Sequence, residues 1–193
     1  MQAPYTREDL NALLGACAVG TAKGLRDRAL VLTLLDTGLR AAEVVSLRVG
    51  DVNMRTGVAV VMGKGRKQRQ VRVGSKARSA ILRYLAARPS AIASDLLWTG
   101  YNRHGMKESG RLDVHGLQTF LVRLGVRAGV YPCAPHRFRR TFALWCLRDG
   151  CDLHSLRLMM GHADLTVLQR YLALSGEDIE RAHRAHSPAD KML

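Results

Sequence analysis

Acidic residues are scarce in this chain. Only 16 Asp and Glu stand against 30 Lys and Arg over 193 residues, a formal charge of +14 with histidine neutral. Between positions 52 and 94 there is no Asp or Glu at all, although that stretch runs through Arg55, Lys64, Arg66, Lys67, Arg69 and Arg72 and on to Arg88. Cysteine is also sparse: Cys17, Cys133, Cys146 and Cys151 form no CxxC pair, and a chain of this size has no need of disulfide staples. A reducing cytoplasm is therefore the expected compartment. No window approaches the ~18 uninterrupted apolar residues of a membrane span. Arg7, Glu8 and Asp9 sit where a secretory signal would place its apolar stretch, so export is not expected. Internal repeats and low-complexity linkers are missing too.

What is present is the composition of a folded protein. Hydrophobic residues make up 47% and charged residues 24%, which excludes general disorder, collagen and coiled coil. The length suits one domain, and a chain of this size buries about 70% of the surface its unfolded form exposes. The charge excess then calls for an anionic polymer as partner, nucleic acid before a membrane surface. An ordinary basic protein of ribosomal type would satisfy the same arithmetic.

The punctuation predicts a mainly helical chain with a small sheet. Thr6 caps a first helix, and a second is expected from about Leu25 to Asp36, ended by Thr37-Gly38, before a short third helix from Ala41 to Leu47. Val58–Met62 and Gln70–Val73 read as a basic β-hairpin turning at Gly63-Lys64-Gly65. Ser75 is expected to cap a helix through about Ala87, Leu96–Trp98 to form a third strand, and Gly100 to Arg111 to be an exposed loop. Asp113 opens a helix to about Ala128. From Pro135 the text is helical, with stops at Gly150 and Gly161 and caps at Asp152 and Asp164. A final amphipathic stretch runs from about Glu177 to His186.

Guanidinium groups set among apolar residues need a reason to be there. Arg40 lies in a Thr-Gly-Leu-Arg turn with Glu43 one helical turn later, where it can orient the guanidinium. Arg139 lies in Pro135-His-Arg-Phe-Arg-Arg-Thr-Phe142, three residues after His136. Alone, each reads as a surface arginine or a structural ion pair. Together, two planar forks converging on one phosphate suit a developing pentacoordinate dianion. His162 follows Gly161 at a helix end, and Tyr171 comes nine residues later. Cys146, Cys151, His154 and His162 straddle a helix stop without regular ligand spacing, so packing rather than a metal site is expected. Gly63-Lys-Gly-Arg-Lys67 lacks the spacing of a P-loop.

The joint order resembles the tyrosine recombinase family, the phage-integrase type of site-specific recombinase. Its motifs are matched by Thr37-Gly-Leu-Arg40 through Leu47, Gly63-Lys64 through Arg69, His136 through Ala143, and Met160-Gly-His162 through Tyr171. The similarity covers about Tyr5 to Glu180. It implies a mixed α/β catalytic domain, mainly α-helical with a small antiparallel β-sheet, spanning 1–193, with a tail from about position 174 as a protomer-contacting segment. It also implies site-specific cleavage and rejoining of double-stranded DNA through a 3′-phosphotyrosine. Arg40, Lys64, His136, Arg139 and His162 become the phosphate-activating set and Tyr171 the nucleophile. Arg66, Lys67 and Arg69 are expected to position phosphates, as is Arg140, which stands where the family usually has histidine. Neither ATP nor metal is implied, and the sequence shows no Walker A loop and no clustered carboxylates for a two-metal site. The Arg40 box comes too early for a helical DNA-binding domain to precede it within these residues. The expectation is therefore a monomer that binds DNA weakly, with strong salt dependence, and self-assembles on it through its last helix. A type IB topoisomerase, or a catalytically silent basic DNA-binding module, would share much of this pattern.

Overall fold

A computed structural model describes residues 3–63, 68–101 and 107–161, together with Arg184 and Ser187; side chains 107–109 lie outside that description. The chain divides into two compact units, Met1–Gly161 and His162–Leu193, and the fold below is that of the first. Its described residues form seven α-helices and two antiparallel hairpins.

Helix α1, Arg7–Gly15, starts as the sequence predicts: the Thr6 hydroxyl accepts from the Asp9 N–H while the Asp9 carboxylate accepts from the Thr6 N–H. Helix α2, Ala22–Thr37, begins earlier than Leu25, because the Thr21 hydroxyl accepts from the Gly24 N–H and caps the helix there. Charge misleads the sequence reading at this point. Arg26 and Asp27 are buried on the first turns as an ion pair, so polar residues extend a helix that is almost wholly enclosed. Gly38 closes α2 in the left-handed region, at φ 56°. Helix α3, Ala41–Ser46, follows at once.

Strands β1, Val58–Met62, and β2, Gln68–Arg72, pair antiparallel from Val58 opposite Arg72 to Met62 opposite Gln68, so β2 starts two residues before the expected Gln70. Helix α4, Ser75–Ala86, has Gly74 as its cap residue, and Ser75 is its first helical residue. Leu96–Trp98 is not a strand: Leu96 makes a lone bridge to Arg48, and Leu97 and Trp98 turn into the core. The third strand, β3, is Thr99–Tyr101, and it pairs with β4, Lys107–Arg111, inside the segment expected to be a loop. Lys107-Glu-Ser-Gly-Arg111 has no β-branched residue to betray a strand, and its pairing comes from the backbone of Thr99. Thr99 is in turn held by the Tyr84 hydroxyl, 2.8 Å from its Oγ1.

Helix α5, Val114–Ala128, is capped by Asp113 as predicted. Helix α6, Pro135–Arg148, and helix α7, Leu153–Met160, follow, α7 being capped by Asp152 and ended by Gly161 at φ 61°. Helix α2 is the spine of the unit, packed on α1, α4 and α6. The side chains of Leu30, Leu34, Leu39, Tyr84, Trp98, Leu117 and Phe138 are fully buried around it. Each such group contributes about 1.5–3 kcal/mol of transfer free energy.

The segment before α1 is stitched to α6. The Tyr5 N–H donates to Thr141 Oγ1 at 2.8 Å, the Ala134 N–H donates to the Tyr5 hydroxyl at 3.2 Å, and the Tyr5 ring lies 4.6 Å from Phe138. Arg137 donates to the Ala3 carbonyl at 2.9 Å and to Asp9 Oδ2 at 3.0 Å, so Ala3, Tyr5 and Asp9 together hold α6. Among the described residues no helix is long and apolar enough to cross a membrane.

Candidate active site

Two helix ends and one helix start meet where Arg40 and Arg139 converge. Arg40 sits at the N-terminal boundary of α3, directly after the Gly38 turn, while Arg139 is on the second turn of α6. Arg139 is 8% exposed, and its fork donates to the carbonyl of Gly38 and, at 2.8 Å, to the carbonyl of Met160. Both carbonyls end helices, α2 and α7, where oxygens lack intrahelical partners and the helix dipole is negative. A buried cation is satisfied there by fixed backbone. Arg40 donates to the next carbonyl, that of Gly161, at 3.3 Å. The two guanidinium groups thus grip adjacent carbonyls of one turn, although they are 99 residues apart in sequence.

Glu43 binds this arrangement from below. Its Oε2 accepts from the Arg40 backbone N–H at 2.8 Å and its Oε1 from the Arg40 guanidinium at 3.2 Å. Glu43 thus touches Arg40 twice from one helical turn later. The carboxylate is only 4% exposed, whereas the Arg40 side chain is 40% exposed. Burial pushes the Glu43 carboxyl up, but the hydrogen bonds and charges of Arg69 and Arg40 outweigh it and hold the group below the usual carboxylate value. Arginine presents five N–H donors, and these contacts occupy only two of those of the Arg40 side chain. Arg40 can therefore offer an anion its remaining donors in a fixed orientation, beside the buried charge of Arg139.

Arg69 takes a place that sequence reasoning assigned to a phosphate. Its Nη1 and Nη2 donate to Glu43 Oε1 and Oε2 at 2.5 and 2.9 Å, a bidentate grip, with the side chain 16% exposed. Nothing near position 69 points to Glu43, 26 residues earlier; only the turn of β2 against α3 brings them together. His136 is exposed on the first turn of α6, on the same helix as Arg139, and Arg140 is half-buried beside it. Lys64, Arg66, Lys67, His162 and Tyr171 lie outside the described residues, as do the expected Asp164 cap and most of the stretch from Glu177 to His186.

A small helical domain thus draws two arginines from distant motifs onto one turn. The model of the phage integrase family matches residues 5–177, and the chain belongs to that family. It is 36% identical over 192 residues to the tyrosine recombinase XerD of Pseudomonas putida, covering 93% of this chain and 60% of that one. With the tyrosine recombinase XerC of Staphylococcus carnosus it shares 32% identity, covering 97% of this chain and 62% of that one. The chain thus spans about three-fifths of the length of these relatives. Among solved structures, the XerA recombinase superposes with a TM-score of 0.77 at 27% identity, covering 97% of this chain and 66% of that one. The fold is also that of the XerH site-specific recombinase bound to its difH substrate, with a TM-score of 0.70 at 23% identity, over 94% of this chain and 53% of that one.

Proposed function

We propose that residues 1–193 act as the catalytic domain of a site-specific recombinase that cleaves and rejoins double-stranded DNA through a 3′-phosphotyrosine at Tyr171. The observation that carries this reading is the convergence of Arg40 and Arg139 on the Met160–Gly161 carbonyls. Two forks held by fixed backbone can neutralise the nonbridging oxygens of one phosphodiester without reorganising during the reaction.

The remaining roles follow from the chemistry that such a phosphate demands. The Tyr171 hydroxyl attacks phosphorus and passes its proton to His136, since a phenol with a pKa of about 10 is a poor nucleophile until deprotonated. The P–O5′ bond breaks, and Lys64 supplies the proton that the 5′ oxygen requires. His162 adds a hydrogen bond to the phosphate. The covalent link keeps the bond energy until a 5′-hydroxyl attacks and reverses each transfer. Arg66, Lys67 and Arg140 contribute phosphate contacts that position the duplex. The stretch from about Glu177 to His186 serves assembly on DNA, and the reducing cytoplasm is where this chemistry takes place.

The test is covalent trapping. Duplexes tiled across the DNA flanking the gene, each carrying a nick, are incubated with the chain and denatured in SDS in the presence of excess EDTA. The expected result is a denaturant-resistant adduct with the native chain and none with Tyr171→Phe, which removes one hydroxyl and leaves the ring and DNA affinity in place. An adduct with the phenylalanine variant removes Tyr171 from the nucleophile role. A native chain that binds DNA and gives no adduct is a binding module, and one that only relaxes supercoils is a topoisomerase.

A further inference from the structure

The strongest ion pair of the site involves an arginine that the proposed chemistry does not use. Arg69 holds both oxygens of Glu43 at 2.5 and 2.9 Å, while Arg40, the arginine meant for phosphate, reaches the same carboxylate through one nitrogen at 3.2 Å. A carboxylate facing two guanidinium groups can serve only one of them bidentately. Here the fork-to-fork geometry goes to Arg69, which leaves Arg40 tethered but open.

Arg69 is also locked from its other side. A Cβ built on Gly161 would stand 2.6 Å from Arg69 Nε and 2.8 Å from its Cζ, so the glycine leaves just enough room for the guanidinium against the α7 turn. Gly161 is the residue whose carbonyl Arg40 grips and the one directly before His162. Arg69 itself lies on β2, near the end of the hairpin that carries Lys64. One side chain therefore touches the carboxylate that orients Arg40 and the turn that precedes His162, and it does so from the strand that follows Lys64.

We infer that Arg69 is a positioning residue: by holding Glu43 bidentately and packing under Gly161, it keeps the Arg40 fork open to phosphate and sets the β1–β2 hairpin against the α7 turn. This inference rests on the reading of Arg40 as a phosphate-activating group. It replaces the expectation that Arg69 contacts DNA phosphate, because both arms of its fork are on the Glu43 carboxylate, which neutralises its charge, whereas the carbonyls that hold Arg139 leave that charge in place. Lysine cannot take its place fully, since a point charge does not hold two oxygens in one plane.

The experiment uses the nicked duplex that gives most adduct with the native chain, at saturating protein, and a labelled 30-base-pair random duplex for affinity across a salt series. Arg69→Met is expected to slow adduct formation about 100-fold, the order of loss that accompanies a misplaced catalytic group. Affinity should stay within about twofold and its salt slope unchanged, because no phosphate contact is lost. Arg69→Lys should recover part of the rate. Glu43→Gln should slow the reaction comparably, and the double variant Glu43→Gln with Arg69→Met should be no slower than either single one, as expected of residues acting in one unit. Gly161→Ala, which presses on Arg69 without changing any charge, should lower the rate with the same unchanged salt slope. It also serves where Arg69→Met fails to fold.

A salt slope reduced by about 0.9 in Arg69→Met, with a native rate at saturating protein, would mark a direct phosphate contact and overturn the inference alone. Multiplying losses in the double variant would overturn it as well. If the native chain forms no adduct on any duplex, the reading of the whole site fails with it.

Discussion

The Arg139 guanidinium donates to the carbonyl of Gly38, the residue that ends α2 just before Arg40, across 101 positions of sequence. A second bond to Met160 closes the fork on the end of α7. One buried cation thus joins the two helix ends between which Arg40 stands.

Replacing Arg139 with lysine keeps the charge and loses the fork. An ammonium can reach one of the two carbonyls but cannot fill both positions and still face a phosphate. Arg139→Lys is expected to lower the single-turnover rate of adduct formation by 100-fold to 1,000-fold, the usual cost of one transition-state donor. DNA affinity should change by less than about threefold. A rate within tenfold of the native chain at saturating protein would remove Arg139 from the chemistry.

Gly38 bears on both stability and geometry. Its φ of 56° is a conformation that L side chains rarely adopt, and a Cβ there would lie 2.4 Å from Cδ1 of Phe142 on α6. Gly38→Ala is expected to cost about 2 kcal/mol or more, the sum of backbone strain and displaced packing. For a chain of this size that is a fall of roughly 4–8 °C in Tm, readable by circular dichroism. Unchanged thermal unfolding would show that the α2 end relaxes without cost.

The pH dependence of stability should carry the signature of Glu43. Burial raises its carboxyl, but Arg69 and Arg40 more than compensate, so it titrates below the usual carboxylate range. A group whose folded value is lowered favours the fold when ionised. Its contribution is therefore fully present well above the unfolded carboxylate's range and is lost as pH falls through the lower, folded value. Glu43→Gln is expected to be about 2–3 kcal/mol less stable than the native chain at pH 7, the scale of hydrogen bonds to charged groups. The two unfolding curves should converge in strong acid, and a gap that persists unchanged to pH 2 would assign the loss to shape rather than charge.

Much of the framework is written in short-range chemistry that a reader of sequence can follow. Thr6, Asp113 and Asp152 cap their helices through bonds spanning three residues, and Gly161 stops α7 with the positive φ its position demands. The Arg40–Glu43 pair is equally local. What escaped the sequence depends on long-range pairing. Lys107–Arg111 becomes a strand only because Thr99 offers it a backbone edge, and Thr99 is fixed by a hydroxyl from α4. Arg69 stands two places after Lys67 in a stretch without acid, so its neighbours suggest DNA. Its partner is a carboxylate that the fold delivers from another helix. Arg26 and Asp27 escape for a different reason: they are neighbours in sequence, but charges that neutralise each other inside a core leave no trace in a hydropathy pattern.

The stitching of Ala3–Asp9 to α6 sets an order in time. During synthesis the first of these segments leaves the ribosome long before the second, for their bonded atoms are separated by 128 to 136 positions. At 5–20 residues per second, Tyr5 waits on the order of ten seconds for Thr141. Until then the nascent chain has no α6 to receive its leading strand of backbone, and the two helix ends around Arg40 have no guanidinium between them. Assembly of the phosphate grip is therefore a late and all-at-once event. A ribosome halted before Ala134 would display a chain holding neither its clasp nor its second arginine.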